Sequence, residues 1–360
     1  MEREQEELQS LGLFGIYREA CKIIFKWRRI FSQITLSLVL PLSVIFLAHI
    51  ESNVLLSRIF KMEFVIHSTR ADNPIHKRFY HRVSSEWAYF WLFKFVYFTF
   101  LLIFSLLSTA AVVYTIACVY TAREATFKKV MRVVPKVWKR LMVTFLWTFL
   151  VFLVYNLVAM LIFLIWAVTD GDNTVSVVFF FIILICYAVG FVYLTILWQL
   201  ASVVSVLEDK YGFKAMLKSK ELIKGKMWVA IVFSFKLNFS LYATQFVFQY
   251  FVVSAWPLRF EYRIGVGLLC FLLLLMLILF GLVIQTIIYF VCKSYHQESI
   301  DKSALSEHLE VLLGEYERLK PQDIQLKESE WHTSKIRATF ASSGSQLAFS
   351  VKKAITKNST

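Results

Sequence analysis

The sequence predicts an all-α, polytopic membrane protein with six transmembrane helices and cytosolic N- and C-termini. Of its 360 residues, 58% are hydrophobic and 17% are aromatic, whereas an ordinary soluble domain is about 45–50% apolar. The mean hydropathy is +0.61. Six apolar runs are long enough to cross a hydrocarbon layer of about 30 Å, which takes about 20 helical residues. Composition and run length together therefore exclude a soluble fold.

The segment 1–29 is predicted to be a cytosolic amphipathic segment. In "LGLFGIYREACKIIFKWRR", apolar residues recur at steps of three and four, and the cations lie largely off that face. This periodicity predicts a helix lying in the plane of the membrane interface. A helix packed on the cytosolic loops is the alternative. The predicted apolar face consists of Leu13, Ile16, Tyr17, Ala20, Ile24 and Trp27.

The membrane domain is predicted to cover 30–295, with spans at 31–50, 95–120, 141–168, 175–207, 228–255 and 264–292. One side of these spans holds 29 of the 39 Lys and Arg residues, and the other side holds 8. Because cytosolic loops carry the excess of Lys and Arg, both termini are predicted to be cytosolic. The stretch 51–86 is then a long outer loop, whose six cations weigh less than those of short loops.

Two cytosolic loops, here called the basic elbows (residues 121–140 and 208–226), share one pattern. "TFKKVMRVVPKVWKRLMV" and "GFKAMLKSKELIKGKMWV" align without gaps at an offset of 86 residues, which suggests a 3+3 repeat or, alternatively, one elbow design used twice. Apolar residues and cations alternate at helical spacing, so each elbow is predicted to lie half-buried among the lipid headgroups. Cations that only determine topology are the alternative. The candidate headgroup ligands are Lys128, Lys129, Arg132, Lys214, Lys218, Lys220, Lys224 and Lys226.

Polar residues within the spans form a second candidate site. Asn238, Tyr242, Gln245 and Gln249 recur at steps of four, three and four, which puts them on one stripe of the fifth span. Such a stripe favours hydrogen bonds between helices, and a substrate path is the alternative. Lys236 faces the other way and is predicted to reach back to the cytosolic surface. Two further polar residues, Asn156 and Gln285, are predicted to complete the polar core.

The stretch "ASVVSVLEDKYGFKAMLKSKELIKGKMW" also resembles a known family. It is similar to a superfamily of bacterial membrane domains that includes the one attached to some glycerophosphodiester phosphodiesterases. The whole chain, including "LLGEYERLKPQDIQL", looks like a plant family of uncharacterised six-span membrane proteins. The resemblance implies a fold and residence in a membrane, with no chemistry to transfer. The phosphodiesterase catalytic domain has no counterpart here.

Residues 296–360 are predicted to form a cytosolic tail. "SALSEHLEVLLGEYERL" predicts a short amphipathic helix, and the Ser-, Thr- and Lys-rich stretch after Pro321 predicts disorder. The tail is a candidate docking segment for a protein partner. The apolar side of its helix consists of Leu305, Leu309, Leu312 and Tyr316.

Catalytic signatures are missing from the sequence. No phosphate-binding glycine loop, His-Glu-x-x-His, Gly-x-Ser-x-Gly or Cys-x-x-Cys occurs. The outer-loop histidines His67, His76 and His81 have spacings that match no standard metal site. The sequence therefore predicts no enzymatic activity, no metal and no cofactor.

The expected function is membrane organisation, trafficking support or a lipid-interacting scaffold. A small-solute or lipid transporter that uses the stripe on the fifth span is the alternative. The expected partners are membrane lipids, anionic ones in particular, and no nucleic acid, because the cations of this net +14 chain lie around the spans. The plasma membrane and the secretory-pathway endomembranes both suit the spans.

Overall fold

A computed structural model describes residues 12–68, 74–123, 125–169, 174–253, 260–296 and Leu309. Among these residues only helices and short turns occur, without any strand. They belong to one compact unit, Met1–Leu313, whereas the second unit, Gly314–Thr360, lies outside the described residues. Most of the predicted tail, including Leu305, Leu312 and Tyr316, is likewise outside this part of the chain.

Nine α-helices and two short π-helical segments make up the described chain. The α-helices are α1 (Leu13–Lys26), α2 (Arg28–Ile34), α3 (Leu40–Ser68), α4 (Pro74–Tyr120), α5 (Phe127–Thr169), α6 (Thr174–Leu207), α7 (Phe213–Leu222), α8 (Met227–Phe248) and α9 (Phe260–Tyr295). The π-helical segments are Thr35–Val39 and Gln249–Val253. They join α2 to α3 and extend α8 without a break in the helical chain.

The six predicted spans are confirmed as helices long and apolar enough to cross a membrane. They cover Arg28–Ala48, Ser85–Tyr120, Phe127–Val168, Ser176–Leu207, Met227–Val253 and Glu261–Tyr295. Each contains most of the run of apolar residues that the sequence predicts, so the hydropathy pattern was sufficient to find the spans.

The stretch between the first two spans, predicted as a long loop over 51–86, is mostly helical. Helix α3 continues to Ser68, and α4 begins at Pro74, so most of this stretch is helical. Ile59 and Phe90 are buried together between α3 and α4, and the Phe90 ring meets the Trp87 ring edge to face at 5.7 Å. A small core of its own thus supports a helical pair that extends beyond the apolar spans. His67, His76 and His81 belong to these two helices, but their side chains are not among those described.

The main hydrophobic core lies at one end of the bundle. There α1, α7 and the start of α5 meet the last turns of α4, α6 and α9. The largest fully buried side chains of this region include Phe31, Tyr114, Tyr289 and Phe290. Leu309 of the predicted tail is helical and belongs to the same cluster.

Towards the other end, α5 and α6 expose most of their apolar surface. Leu161, Ile165 and Val189 are all more than half exposed, as expected for side chains that lipid covers. The two helices still approach closely at Gly190, where an added Cβ would collide with the Tyr155 hydroxyl. That hydroxyl donates a hydrogen bond to the Tyr187 carbonyl oxygen at 2.7 Å, and the two tyrosine rings stack at 5.5 Å.

Candidate functional site

Two regions are candidate functional sites: the end of the bundle that carries the basic elbows, and a cavity beside the fifth span. The second elbow is held in place by polar contacts to other helices. The Glu208 carboxylate accepts hydrogen bonds from the Tyr289 hydroxyl at 2.7 Å and from the Lys293 ammonium at 3.1 Å. The adjacent Asp209 pairs with Arg140 at 2.7 Å. The turn after α6 is thus tied to both α5 and α9.

The electrostatics of Glu208 follow from this environment. Burial by itself would raise the pKa of the Glu208 carboxyl group. The positive charge of Lys293, the hydrogen bonds from Tyr289 and Lys293 and the charge of Lys210 outweigh burial and hold that pKa below its ordinary value. Glu208 is therefore a carboxylate at neutral pH, and its charge helps to hold the elbow in place.

Gly212 makes the turn that leads into α7. Its φ of 64° and ψ of −135° are accessible essentially only to glycine. Its N–H donates to the Thr144 hydroxyl at 2.8 Å, and that hydroxyl lies 2.7 Å from the Ser205 hydroxyl. A Cβ at position 212 would lie 3.0 Å from Trp147. The glycine of "EDKYG" is therefore required by the backbone.

Helix α7 has a face buried against the bundle. Its residues Ala215, Ser219 and Leu222 are buried, and the Ser219 hydroxyl donates to carbonyl oxygens of Met216 at 2.9 Å and of Leu197 at 3.3 Å. Most of the elbow's apolar side therefore packs on protein. Of the apolar residues predicted to enter the headgroup layer, only Phe213 and Leu217 are about half exposed in this elbow.

The first elbow belongs to the start of α5, where Val130, Val134 and Val137 are buried against the same core. Both aligned stretches begin a helix at equivalent positions, Phe127 and Phe213. They then diverge, because α5 continues to Thr169 whereas α7 ends at Leu222. Gly225, with a φ of 96°, makes this second turn possible, and the residue aligned with it in the first elbow is Lys139. The repeat itself stays a prediction.

A cation-rich end results from these elements. The described acidic side chains in this region, Glu19, Glu208, Asp209 and Glu221, all pair with cations. Most of the predicted headgroup ligands are exposed, and Lys129, Lys218 and Lys226 are partly buried. The cation-rich end is defined by the exposed Lys22, Lys26, Arg28, Arg29, Lys128, Arg132, Lys136, Lys139, Lys210, Lys214, Lys220 and Lys224.

Helix α1 lies at the same end. It buries Ile16, Ala20 and Ile23 in the main core, so this side of the helix packs on protein. Its opposite side carries Phe14 and Phe25, which are 90% and 75% exposed. Exposed cations lie between these two rings on the same side. Aromatic rings among cations are typical of a helix that also contacts the membrane interface.

The second candidate site is a cavity of about 600 Å³ between α4, α5, α6 and α8. Nine aromatic side chains line it, among them Phe149, Phe152, Phe191, Trp198, Phe235 and Phe239. The polar side chains in its wall are uncharged: Thr148, Thr195, Ser234 and Asn238, together with the hydroxyl of Tyr242. Phe235, Phe239 and Tyr242 are about two-thirds exposed, so the cavity opens sideways towards lipid.

The polar residues predicted on the fifth span separate into groups. Asn238 and Tyr242 line the cavity, whereas Gln245 and Gln249 do not. Lys236 is exposed, and its ammonium lies 6.0 Å from the centroid of the Tyr17 ring of α1. It reaches towards the cation-rich end, as a snorkelling lysine does.

Neither Asn156 nor Gln285 lies in the wall of the cavity. The Asn156 amide group donates to the Phe152 carbonyl oxygen at 2.7 Å and accepts from the Tyr187 hydroxyl at 2.9 Å. Gln285 donates to the Gln199 carbonyl oxygen. Both side chains therefore join helices by hydrogen bonds, the role that the sequence favours for intramembrane amides.

Sequence reasoning missed two sets of residues. Tyr289 and Lys293 lie at the end of an ordinary apolar run, and only their contact with Glu208 gives them a role. Thr148 and Thr195 are single hydroxyls in apolar spans, and their shared position in the cavity depends on how α5 and α6 pack. No group of His, Cys, Asp and Glu suited to a metal occurs in the described part of the chain.

Six long apolar helices with a cation-rich end are the features of a multi-pass, all-helical membrane protein. The chain belongs to the family described as Domain of unknown function (DUF8558), whose profile matches residues 1–329. No curated protein and no solved structure matches the chain. The resemblance to plant proteins and to phosphodiesterase-attached bacterial domains stays a prediction.

Proposed function

We propose that this protein is a non-enzymatic, lipid-interacting scaffold that supports membrane organisation or trafficking. It resides in the plasma membrane or in an endomembrane of the secretory pathway. Its cation-rich end faces the cytosol and contacts anionic lipids of that leaflet, while the tail is available to a protein partner. The observation that carries this proposal is that the described acidic side chains at the cation-rich end are paired, whereas many of its lysines and arginines are exposed.

Two features support contact with a lipid surface. The acidic side chains described at this end are paired, whereas lysines such as Lys214, Lys220 and Lys224 are exposed. Phe14 and Phe25 of α1 and Phe213 of α7 expose aromatic surface among these cations. Aromatic rings that enter the interface and cations that meet phosphates are the usual means by which proteins bind an anionic leaflet.

The proposed topology predicts which positions can be labelled from outside the cell. Tags at Met1 and Thr360, and a cysteine in the substitution Lys224→Cys, should report the cytosol. Cysteines in Asp72→Cys and Asp172→Cys should react with a membrane-impermeant maleimide on intact cells or sealed vesicles. The unsubstituted protein provides the background. Labelling of Lys224→Cys from the outside would contradict the proposed orientation.

Neutralising three exposed lysines should weaken the association with anionic lipid. Each cation near an anionic surface contributes about 1 kcal/mol, part of which salt screens, so Lys214→Gln, Lys220→Gln and Lys224→Gln together should lower the association constant for phosphatidylserine about tenfold. The measurement is energy transfer from tryptophan to a fluorescent phosphatidylserine in nanodiscs that contain the full-length protein. In about 1 M salt the difference should largely disappear.

The control for this experiment is Lys61→Gln, an exposed lysine in the part of α3 beyond the first span. Lys61→Gln should leave the association constant unchanged, whereas the matched single substitution Lys220→Gln should lower it. If all variants enrich phosphatidylserine equally, at low and at high salt, the lysines serve only to orient the spans. The lipid-binding role would then be abandoned.

A transporter is the second candidate function, and the cavity beside the fifth span favours it. Asn238 and Tyr242 belong both to the predicted stripe and to the cavity wall. The stripe does not continue as one lined path, because Gln245 and Gln249 lie outside the cavity. Binding within the membrane is thus better supported than transport across it.

A further inference from the structure

We propose that the cavity between α4, α5, α6 and α8 binds an uncharged lipid that carries a hydroxyl group. Its volume of about 600 Å³ is within the usual range of about 300–1,000 Å³ for small-molecule sites. The inference concerns binding and does not depend on the anionic-surface proposal, since the cavity and the cation-rich end share no residue.

The walls of the cavity select an apolar body. Among the described residues, nine aromatic side chains surround it, and neither a carboxylate nor a cation lines it. Rigid aromatic walls hold an apolar body by burial and by packing against ring faces. A phosphate or a quaternary ammonium headgroup would be desolvated there without a counter-charge, which is strongly unfavourable. The lining therefore excludes charged and zwitterionic lipid headgroups.

The polar atoms of the wall define the rest of the ligand. The hydroxyls of Thr148 and Thr195 already donate to carbonyl oxygens of their own helices, at 2.8 and 2.9 Å, so only their lone pairs face the cavity. The Asn238 amide nitrogen donates to the Ser234 carbonyl oxygen at 2.8 Å, which leaves the amide oxygen as an acceptor. The Tyr242 hydroxyl is available as a donor. A ligand hydroxyl, which donates and accepts, complements this set.

The depth of the cavity explains why these acceptors require a ligand. Ser234 and Tyr242 lie about 10 and 23 Å along α8 from Met227, at about 1.5 Å per residue. Asn238 is then near the middle of a hydrocarbon layer of about 30 Å. Water is scarce at this depth, so an unpaired acceptor has no solvent partner. A lipid that enters through the exposed side at Phe235 and Phe239 can supply one.

The test uses the full-length protein in phosphatidylcholine nanodiscs and three photoactivatable lipids. A sterol and a diacylglycerol both carry the required hydroxyl, and a phosphatidylcholine probe has the same chains as the diacylglycerol with a zwitterionic headgroup. The sterol, the diacylglycerol or both should label peptides that contain residues 145–152 and 234–242, and which of the two labels identifies the source of the hydroxyl. Equal labelling by phosphatidylcholine would mean that bulk chains occupy the cavity, and would overturn the proposal.

Two substitutions locate the binding. Asn238→Leu removes the acceptor at nearly constant volume and should lower labelling about threefold to tenfold, the range expected for one hydrogen bond within a membrane. Its matched control is Asn156→Leu, an amide outside the cavity wall. Val192→Phe fills the cavity and should lower labelling further, whereas Val189→Phe, one turn earlier on α6 and 65% exposed, should not.

Competition on the unsubstituted protein gives a readout that does not depend on the folding of variants. An unlabelled sterol should displace the photoactivatable sterol, and the same sterol without its hydroxyl should compete about threefold to tenfold less well. If the diacylglycerol is the probe that labels, its hydroxyl-acylated form takes the second role. Equal competition by both forms, or equal losses for Asn156→Leu and Asn238→Leu, would overturn the proposal.

Discussion

Replacing Glu208 by glutamine should lower the free energy of unfolding by about 2–3 kcal/mol. The substitution keeps the shape of the side chain but removes the charge that Lys293 faces at 3.1 Å. The two side chains are only 15% and 22% exposed, and a buried charge without its partner is costly because it has lost its hydration. Unfolding of the purified protein, followed by tryptophan fluorescence, measures the change.

The control is Asp209→Asn at the next position. Asp209 also forms an ion pair, with Arg140, but its side chain is 73% exposed. Exposed pairs contribute about 0–1 kcal/mol, so this substitution should have little effect. Equal losses for Glu208→Gln and Asp209→Asn would show that burial of the Glu208 pair does not matter, contrary to the structure.

The pH dependence of this difference has a definite sign. The pKa of Glu208 is lowered in the folded protein, so its pair stabilises the fold fully above the ordinary Glu pKa of about 4.3. As the pH falls through that value the contribution decreases, and it disappears below the lowered folded-state pKa. The difference in stability between the unsubstituted protein and Glu208→Gln should therefore be constant near neutral pH and shrink in acid.

Gly212→Ala should destabilise the protein by about 2–3 kcal/mol. The backbone at this position has φ 64° and ψ −135°, which a residue with a Cβ adopts only under strain. The new methyl group would also lie 3.0 Å from Trp147, which must then shift. The same turn provides the N–H that Thr144 accepts. Heating followed by size-exclusion chromatography of a fluorescently tagged protein gives the loss as a lower midpoint temperature.

Gly265→Ala is the matched control for this substitution. Gly265 lies within α9 and has open space around the position of a Cβ. Because alanine favours a helix over glycine by about 0.5–1 kcal/mol, this variant should be as stable as the unsubstituted protein or slightly more so. If Gly212→Ala leaves the stability unchanged, the turn at "EDKYG" can adopt another conformation and is not fixed by the glycine.

The basic elbows show where prediction from the sequence succeeds and where it ends. Helical spacing of apolar residues predicts helical elbows, and the structure has helices that begin at Phe127 and Phe213. The same spacing cannot tell whether the apolar side meets lipid or protein, since both are apolar surroundings. Val134 and Met216 are buried in the bundle, whereas Phe213 is about half exposed. Spacing in the sequence does not show which of these three residues is buried and which is exposed.

The segment between the first two spans shows a different limit. The sequence predicts a loop there between two apolar runs, and the structure shows that α3 and α4 continue through most of it. Their helical structure is supported by a local core around Ile59 and Phe90. Hydropathy averaged over a span-length window reports whether a segment suits lipid, and it does not report whether a helix continues beyond the membrane.

Sequence by itself determined the class of protein, the number of spans and the polar residues that lie within them. These properties depend on composition and on spacing along one helix, which a hydrocarbon layer constrains directly. Only the tertiary structure decided that Glu208 meets Tyr289, 81 residues away, and that Thr148, Thr195 and Asn238 share one cavity. Within lipid every apolar helix face has equally apolar surroundings. Which helices become neighbours therefore depends on shape and on a few hydrogen bonds between helices, and no local sequence pattern predicts these contacts.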